Sequence, residues 1–320
     1  MALTIDTHHH MLPDFFFEAT NEKDHPVGGL KPQLWSAEIS LAFMDEAEID
    51  IAVLSISTPG IQLQDRQAGR DLARKCNDLA AKLIAQYPRR FGAFAAVPMG
   101  NLDDAIAEIQ YALDTLKLDG VVLFTNSDGI YLGDPLLKPL FAELQKRKTV
   151  VYVHTNASPD PVAHTLGLTD NLIDFPTDTT RAIAQMHYLG NFAATPDVKY
   201  IFSHGGGSAP YLAGRFAIVD EMKIMGDSST TGTAAERFRK LYWDTALAWS
   251  DPVLYSLKHV AGINNILFGT DFPYLRRDMA VRTPEKLLCS RELVGNDAVQ
   301  ILGGNSLELF PRFKIIDNGK

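Results

Sequence analysis

The feature that most constrains the fold is a series of eight short apolar segments along the 320-residue chain. Most are continuously apolar and rich in Val, Ile or aromatic residues, which is typical of parallel strands buried on both faces. They span residues 3–10, 51–57, 91–99, 121–126, 150–156, 200–205, 241–246 and 266–273. Long amphipathic segments separate them, as the helical spacing of Leu72, Cys76, Leu79 and Leu83 illustrates.

Eight strands that alternate with helices over this length predict a single (β/α)₈ barrel, with residues 1–320 forming one domain. A doubly wound open sheet is the alternative. It is disfavoured because no glycine-rich phosphate-binding turn follows an early strand, and the cluster at 205–207 lacks the dinucleotide-binding spacing.

Composition limits the function. Hydrophobic residues make up 46% and charged residues 22% of the chain, which are ordinary values for a globular protein. The formal net charge of −9 argues against a nucleic-acid partner. The sequence contains no apolar stretch of about 18 residues, so no membrane-spanning helix is predicted. Two cysteines and an opening MALTIDTHHH without a signal-like segment predict a cytoplasmic location.

Two connections, 11–35 and 157–176, are unusually long and follow the first and fifth predicted strands. In a barrel both lie on the C-terminal face, where active sites are built, so we expect them to wall or cover a pocket. Surface elaboration is the competing interpretation, above all for the second.

Candidate functional residues occur where predicted strands end. His8 and His10 close the first strand and share one face of it, because side chains alternate along a strand. His154, His204 and Asp271 end the fifth, sixth and eighth segments. A barrel gathers these ends into one ring, where unpaired polar groups are costly to bury. Imidazoles with one carboxylate suit a divalent cation, Zn²⁺ first and Mn²⁺ as the alternative.

The other histidines are weaker candidates. His9 is expected to point away from the barrel interior, into the layer between strands and helices. His187 and His259 lie on helical patterns and are interpreted as structural or solvated. His25 and His164 lie on the two long connections, where a pocket role competes with the more ordinary solvated one.

Several segments resemble the amidohydrolase superfamily, in the branch that holds aminocarboxymuconate semialdehyde decarboxylase: IDTHHHMLP, HGGGSAPYLAGR and ILFGTDFPY. Two others, EIQYALDTLKLDGVVLFTN and GIYLGDP, are similar to methylsalicylate decarboxylase-like members. The resemblance extends from Ile5 to about Phe310.

The resemblance implies one divalent metal with four protein ligands: His8, His10, His154 and Asp271. It makes His204 a catalytic residue beside the metal and Asp271 a catalytic residue as well as a ligand. Arg215 would bind the substrate carboxylate, in its own or a neighbouring subunit, or would be an ordinary surface residue. A homodimer is also implied.

Two departures from the superfamily pattern narrow these expectations. The fourth predicted strand, VVLFTN, lacks the lysine of binuclear members, so one metal is expected. The stretch 42–45 reads AFMD, where the semialdehyde decarboxylase has an arginine, which favours a less charged substrate such as a hydroxybenzoate.

The leading hypothesis is non-oxidative decarboxylation of a small aromatic hydroxy acid, with Asp271 delivering a proton to the ring and His204 tuning it. Metal-dependent hydrolysis of a lactone at the same site is the alternative. A third is a non-catalytic binding barrel. Aromatic pocket walls are expected from a minority of six residues: Phe15, Phe16, Phe17, Trp35, Phe272 and Tyr274.

Overall fold

The structure is a computed structural model that describes residues 3–21, 28, 33–158, 167–225 and 232–314. Eight parallel strands form one sheet in which spatial order follows chain order. We number them β1 to β8: Ile5–His10, Ile51–Ser55, Phe91–Ala95, Gly120–Phe124, Val150–His154, Lys199–Phe202, Tyr242–Asp244 and Ile266–Leu267. Each starts in or within one residue of a predicted apolar segment.

The sheet closes between its first and last strands. The Thr7 N–H donates to Phe268 O at 2.9 Å, the His10 N–H to Phe272 O at 2.8 Å, and the Asp271 N–H to His8 O at 2.9 Å. A parallel bridge also joins His9 to Phe272. The predicted barrel is therefore confirmed, and the open-sheet alternative is wrong.

Buried Asp6 supports this closure from within β1. Its carboxylate accepts hydrogen bonds from the Thr270 N–H at 3.1 Å and the Thr270 hydroxyl at 2.6 Å. Because an unpaired buried carboxylate is costly, these bonds fix the segment after β8 against β1.

Helices surround the barrel, and α3 shows why they form. Asp65 caps its start by accepting from the N–H groups of Gln67 and Ala68. Its apolar face, which includes Leu72 and Cys76, is buried. The helices are α1 Asp14–Thr20, α2 Ala37–Glu46, α3 Arg66–Gln86, α4 Leu102–Gln110, α5 Lys138–Arg147, α6 Asp174–Tyr188, α7 Asn191–Ala194, α8 Ala213–Glu221, α9 Ala234–Phe238, α10 Asp251–Val260, α11 Arg277–Ala280, α12 Thr283–Leu288, α13 Asp297–Val299 and α14 Asn305–Leu309. None of these described helices has the length and hydropathy to cross a bilayer.

A short antiparallel hairpin, which the sequence pattern did not predict, follows β4. It pairs Asn126–Ser127 with Ile130–Tyr131. The hairpin extends the C-terminal rim of the barrel beside β5.

Candidate metal centre and active site

The C-terminal rim brings together five side chains from four strand ends, which we call the metal cluster: His8, His10, His154, His204 and Asp271. His8 Nε2 lies 3.2 Å from both His10 Nε2 and Asp271 Oδ1. His10 Nε2 lies 3.1 Å from the same carboxylate oxygen. His8, His154, His204 and Asp271 each offer a ligand atom within 4.8 Å of the others. The sequence-predicted residues thus converge on one point.

Hydrogen bonds orient three imidazoles of the cluster. The Nδ1 atom of His8 lies 2.8 Å from Asp244 Oδ2. The Nδ1 atoms of His154 and His204 lie 2.8 Å from Thr155 O and 3.2 Å from Ala246 O. Since the partners of His154 and His204 are carbonyl oxygens, their Nδ1 atoms carry the proton and their Nε2 atoms keep a lone pair, which is the arrangement of metal-ligating histidines.

The Nε2 atom of His154 is the sharpest test of whether a cation fits. It is fully buried and has no hydrogen-bond partner among the described residues. Buried polar atoms are almost always paired. A lone pair left without a protein donor, beside three other ligand atoms, is what a divalent cation requires.

The electrostatics of the cluster agree with this fit. Burial lowers the pKa of His10, His154 and His204, which favours the neutral imidazole that binds metals. Burial also opposes charge on His8 and Asp271, but the interactions of each with its charged and hydrogen-bonded partners outweigh the effect of burial. Asp244 and Asp271 raise the pKa of His8 to about 10, and bonds from His10 and His8 hold the pKa of Asp271 well below its usual value. Two carboxylates therefore stabilise positive charge at this point.

His9 lies on the other side of β1. Its Nδ1 is 3.1 Å from Asp6 Oδ2 and its Nε2 is 2.9 Å from Ser40 Oγ. It packs between the strands and helix α2, as strand alternation predicts. His187 Nε2 is 3.3 Å from Asp220 Oδ1, a contact that involves no residue of the metal cluster.

A cavity of about 300 Å³ opens onto the cluster. Beyond His154, His204 and Asp271, its polar lining consists of Ser57, Thr58, Asn171 and Tyr274. Its apolar lining consists of Leu172, Phe175, Pro176, Leu247, Ala248 and Val253. The second long connection therefore supplies a wall, through Asn171 to Pro176. Among the described residues no lysine or arginine lines the cavity.

Three residues around this cavity have left-handed backbone conformations: His204 with φ 53°, Leu247 with φ 55° and Asp271 with φ 61°. Such angles are uncommon outside glycine and tend to concentrate at functional sites. For His204 and Asp271 the turn immediately after the strand aims the side chain into the rim.

The sequence model of the amidohydrolase family, described as "Amidohydrolase", matches residues 5–312. The chain belongs to the amidohydrolase family. Decarboxylase macB of Penicillium terrestre is 34% identical over 338 residues, covering 98% of this chain and 96% of the relative. The 6-methylsalicylic acid decarboxylase of Penicillium expansum is 33% identical over 323 residues, covering 99% of each. These relatives confirm the resemblance to the decarboxylase branch.

Solved structures support the same fold. A crystal structure of an amidohydrolase II matches with a TM-score of 0.90 at 28% identity, covering 96% of this chain and 99% of that chain. A dihydroxybenzoic acid decarboxylase from Polaromonas sp. JS666, solved with manganese and 2-nitroresorcinol, matches with a TM-score of 0.81 at 23% identity over 97% of both chains.

Other predicted residues of this amidohydrolase lie elsewhere. Arg215 lies on the exposed surface of α8 and does not line the cavity of its own chain. Of the six predicted aromatic walls, Tyr274 lines the cavity, whereas Phe16 and Phe17 are buried in the core. His25 and His164 fall outside the described residues.

Sequence reasoning missed Asp244, which ends β7. Its Oδ2 accepts from His8, and its Oδ1 accepts from the N–H groups of His204 at 2.9 Å and Ala246 at 3.0 Å. The only available indication was a carboxylate at the end of an apolar segment, LYWDTA. Phe175, Leu172 and Leu247 were also missed as cavity walls.

Proposed function

We propose that this amidohydrolase is a metal-dependent, non-oxidative decarboxylase of a small aromatic hydroxy acid. The observation that carries the proposal is the buried Nε2 lone pair of His154, set among three other ligand atoms at the end of a largely apolar cavity. The two decarboxylases that are 33% and 34% identical over nearly the whole chain support the reaction type.

The proposal assigns His8, His10, His154 and Asp271 as ligands of one divalent cation, and His204 as a catalytic residue beside it. When bound, the cation supplies positive charge for the substrate carboxylate and its neighbouring oxygen. The donor set suits Zn²⁺. The manganese in the Polaromonas structure supports Mn²⁺ as the alternative.

The chain's own residues then move a proton. Asp271 is ionised before substrate binds, so it accepts the phenolic proton of the hydroxy acid. It passes this proton to the ring carbon that bears the carboxylate. The bond between the ring and the carboxylate then breaks, CO₂ leaves, and the bonding electrons restore the aromatic ring. His204, with Nδ1 held by Ala246 O, presents Nε2 to position the proton on Asp271.

The apolar walls set the kind of substrate. Without a lysine or arginine among the described lining residues, a second carboxylate would have no counter-charge. This favours a monocarboxylate with one ring over a dicarboxylate, in line with the AFMD stretch at 42–45.

We also propose that each chain forms one domain, that the protein is cytoplasmic, and that two chains form a homodimer through α8. Arg215, Ile218 and Met222 follow helical spacing and share one exposed face, on which Ile218 is 56% and Met222 65% exposed. Exposed apolar patches of this kind mark protein interfaces. A second copy covering this face would bring Arg215 against the neighbouring subunit, where it would bind the single carboxylate of the substrate.

The test is to load purified protein with Zn²⁺ or Mn²⁺ and assay hydroxybenzoates and aromatic lactones in parallel. CO₂ release that chelator abolishes and metal restores supports the decarboxylase. Lactone opening without CO₂ release supports the hydrolase instead. A protein that binds metal but turns over neither class contradicts both.

The ligand assignment has its own test. His10→Ala should lower both metal content and activity, whereas His204→Ala should lower activity and retain the metal. Metal loss in His204→Ala would instead make His204 a ligand, as its position within the four-residue group permits.

A further inference from the structure

Leu247 has a conformation that its role in folding does not explain. Its φ of 55° lies in the left-handed region, where a leucine side chain crowds the backbone and glycine does not. The side chain is 49% exposed, so it contributes little to the core. A glycine or asparagine would make this turn with less strain.

The neighbouring bonds hold the turn in place. Ala246 O accepts a hydrogen bond from His204 Nδ1 at 3.2 Å, and the Ala246 N–H donates to Asp244 Oδ1 at 3.0 Å. The Ala248 N–H donates to Thr245 O at 2.9 Å. The turn is therefore part of the framework that orients His204 and, through Asp244, His8.

The side chain lies at the cavity. Leu247 lines it together with Leu172 from the long connection after β5 and Val253 from α10. These three residues come from separate parts of the chain and form an apolar part of the cavity lining, whereas His154 and Asp271 form a polar part. Local strain in a half-exposed leucine is best explained by what the side chain contacts in the cavity.

We propose that Leu247 is a specificity-determining residue that packs on the substrate ring and favours an apolar ring substituent over a hydroxyl. The inference rests on the proposed function. A hydroxyl against Leu172, Leu247 and Val253 would lose water without gaining a hydrogen-bond partner from them, whereas a methyl group loses nothing polar.

Two acids differ in this one group and serve as probes: 2-hydroxy-6-methylbenzoate (6-methylsalicylate) and 2,6-dihydroxybenzoate. One apolar group in a matched pocket changes kcat/KM by about 10-fold or more. We expect the wild-type chain to prefer the methyl compound, and Leu247→Gly and Leu247→Asn each to reduce that preference about 10-fold. Leu247→Met, which keeps an apolar side chain, should retain it.

Lys148→Gly is the matched control, because Lys148 has a similar φ of 51° on an exposed turn that does not line the cavity. It should leave the substrate preference unchanged. Both glycine variants should keep or raise the unfolding midpoint, since both relieve left-handed strain.

An unchanged preference in Leu247→Gly and Leu247→Asn would overturn the inference, as would an equal shift in Lys148→Gly. The same ratios are measured as Kd values by calorimetry on the metal-loaded protein. Absence of CO₂ release with both acids would count against the proposed function, while the Kd ratio would still support or overturn the role of Leu247.

Discussion

Two buried polar clusters lie near the C-terminal rim, and they differ in how completely the protein satisfies them. In the first, the metal cluster, His154 Nε2 has no partner among the described residues. The second, which we call the Asp178 cluster, consists of Asp178, Thr125, Asn126 and Tyr131. There the fully buried carboxylate on α6 accepts from both hydroxyls and, at 3.0 Å, from Asn126 Nδ2.

The difference teaches how to interpret buried polar residues. Both clusters hold a buried carboxylate, so burial does not distinguish them. In the Asp178 cluster, every donor named above bonds to the Asp178 carboxylate. These bonds hold the hairpin after β4 against α6, which is a structural role. In the metal cluster, the lone pair of His154 Nε2 has no donor among the described residues, which is typical of a ligand site.

The largest expected effect comes from His154→Ala. Removal of a ligand should lower kcat/KM at least about a thousandfold, or about 4 kcal/mol, because the cation would be lost or misplaced. Steady-state CO₂ release measures it. His187→Ala is the control: it removes a buried histidine paired with Asp220, and should lower the unfolding midpoint while kcat/KM stays within about threefold. Equal activity losses in the two variants would show that loss of any buried histidine, and not loss of a ligand, causes the effect.

Asp244→Asn should be next in size. The substitution keeps the volume but removes the charge that orients His8 and so should weaken metal affinity about 10- to 100-fold. Titration with Zn²⁺ against a competing chelator gives the value. Affinity within twofold of wild type would show that Asp244 has only a packing role.

Asp178→Ala tests the other cluster. It leaves the buried donors of Thr125 and Asn126, and the half-buried hydroxyl of Tyr131, without their acceptor, which should lower the free energy of unfolding by about 1 to 2 kcal/mol. Urea denaturation measures this change. Metal affinity should remain unchanged, and a loss of metal would mean that the two clusters are coupled.

The smallest effect is a pH dependence. Burial raises the pKa of Asp178 above its usual value. The native state therefore binds this proton more tightly than the unfolded state. This tighter proton binding stabilises the native state fully below about pH 4, and the stabilisation is lost as the pH rises through the raised pKa of Asp178. Relative to Asp178→Asn, wild type should lose stability over that window, and parallel pH profiles would contradict this.

The sequence predicted the barrel, and it predicted that the side chains at these strand ends would lie close together. Continuous apolar segments specify buried parallel strands, and parallel strands place their C-terminal ends together, so His8, His154 and Asp271 follow from local patterns. The positions of residues at strand ends depend little on loop conformation.

Other features depend on tertiary structure. Asp244 is one carboxylate in a short strand, and its role appears only when His8 is seen 2.8 Å away. Leu172 and Leu247 reach the cavity through connections whose paths no periodicity specifies. Arg215 was located by resemblance, and its exposed position on α8 means that a single chain does not bring it to the cavity.

The closure of the barrel gives the site an unusual dependence on chain ends. His10 ends β1 and Asp271 follows β8, the two strands between which the ring closes, and their side chains meet at 3.1 Å although they are 261 residues apart in sequence. A cation bound by both residues, as proposed, would act as a cross-link over most of the chain, and such links restrict the unfolded chain more as the enclosed loop lengthens. Because Asp271 follows the eighth strand, the proposed metal site would be complete only after that strand has joined the ring.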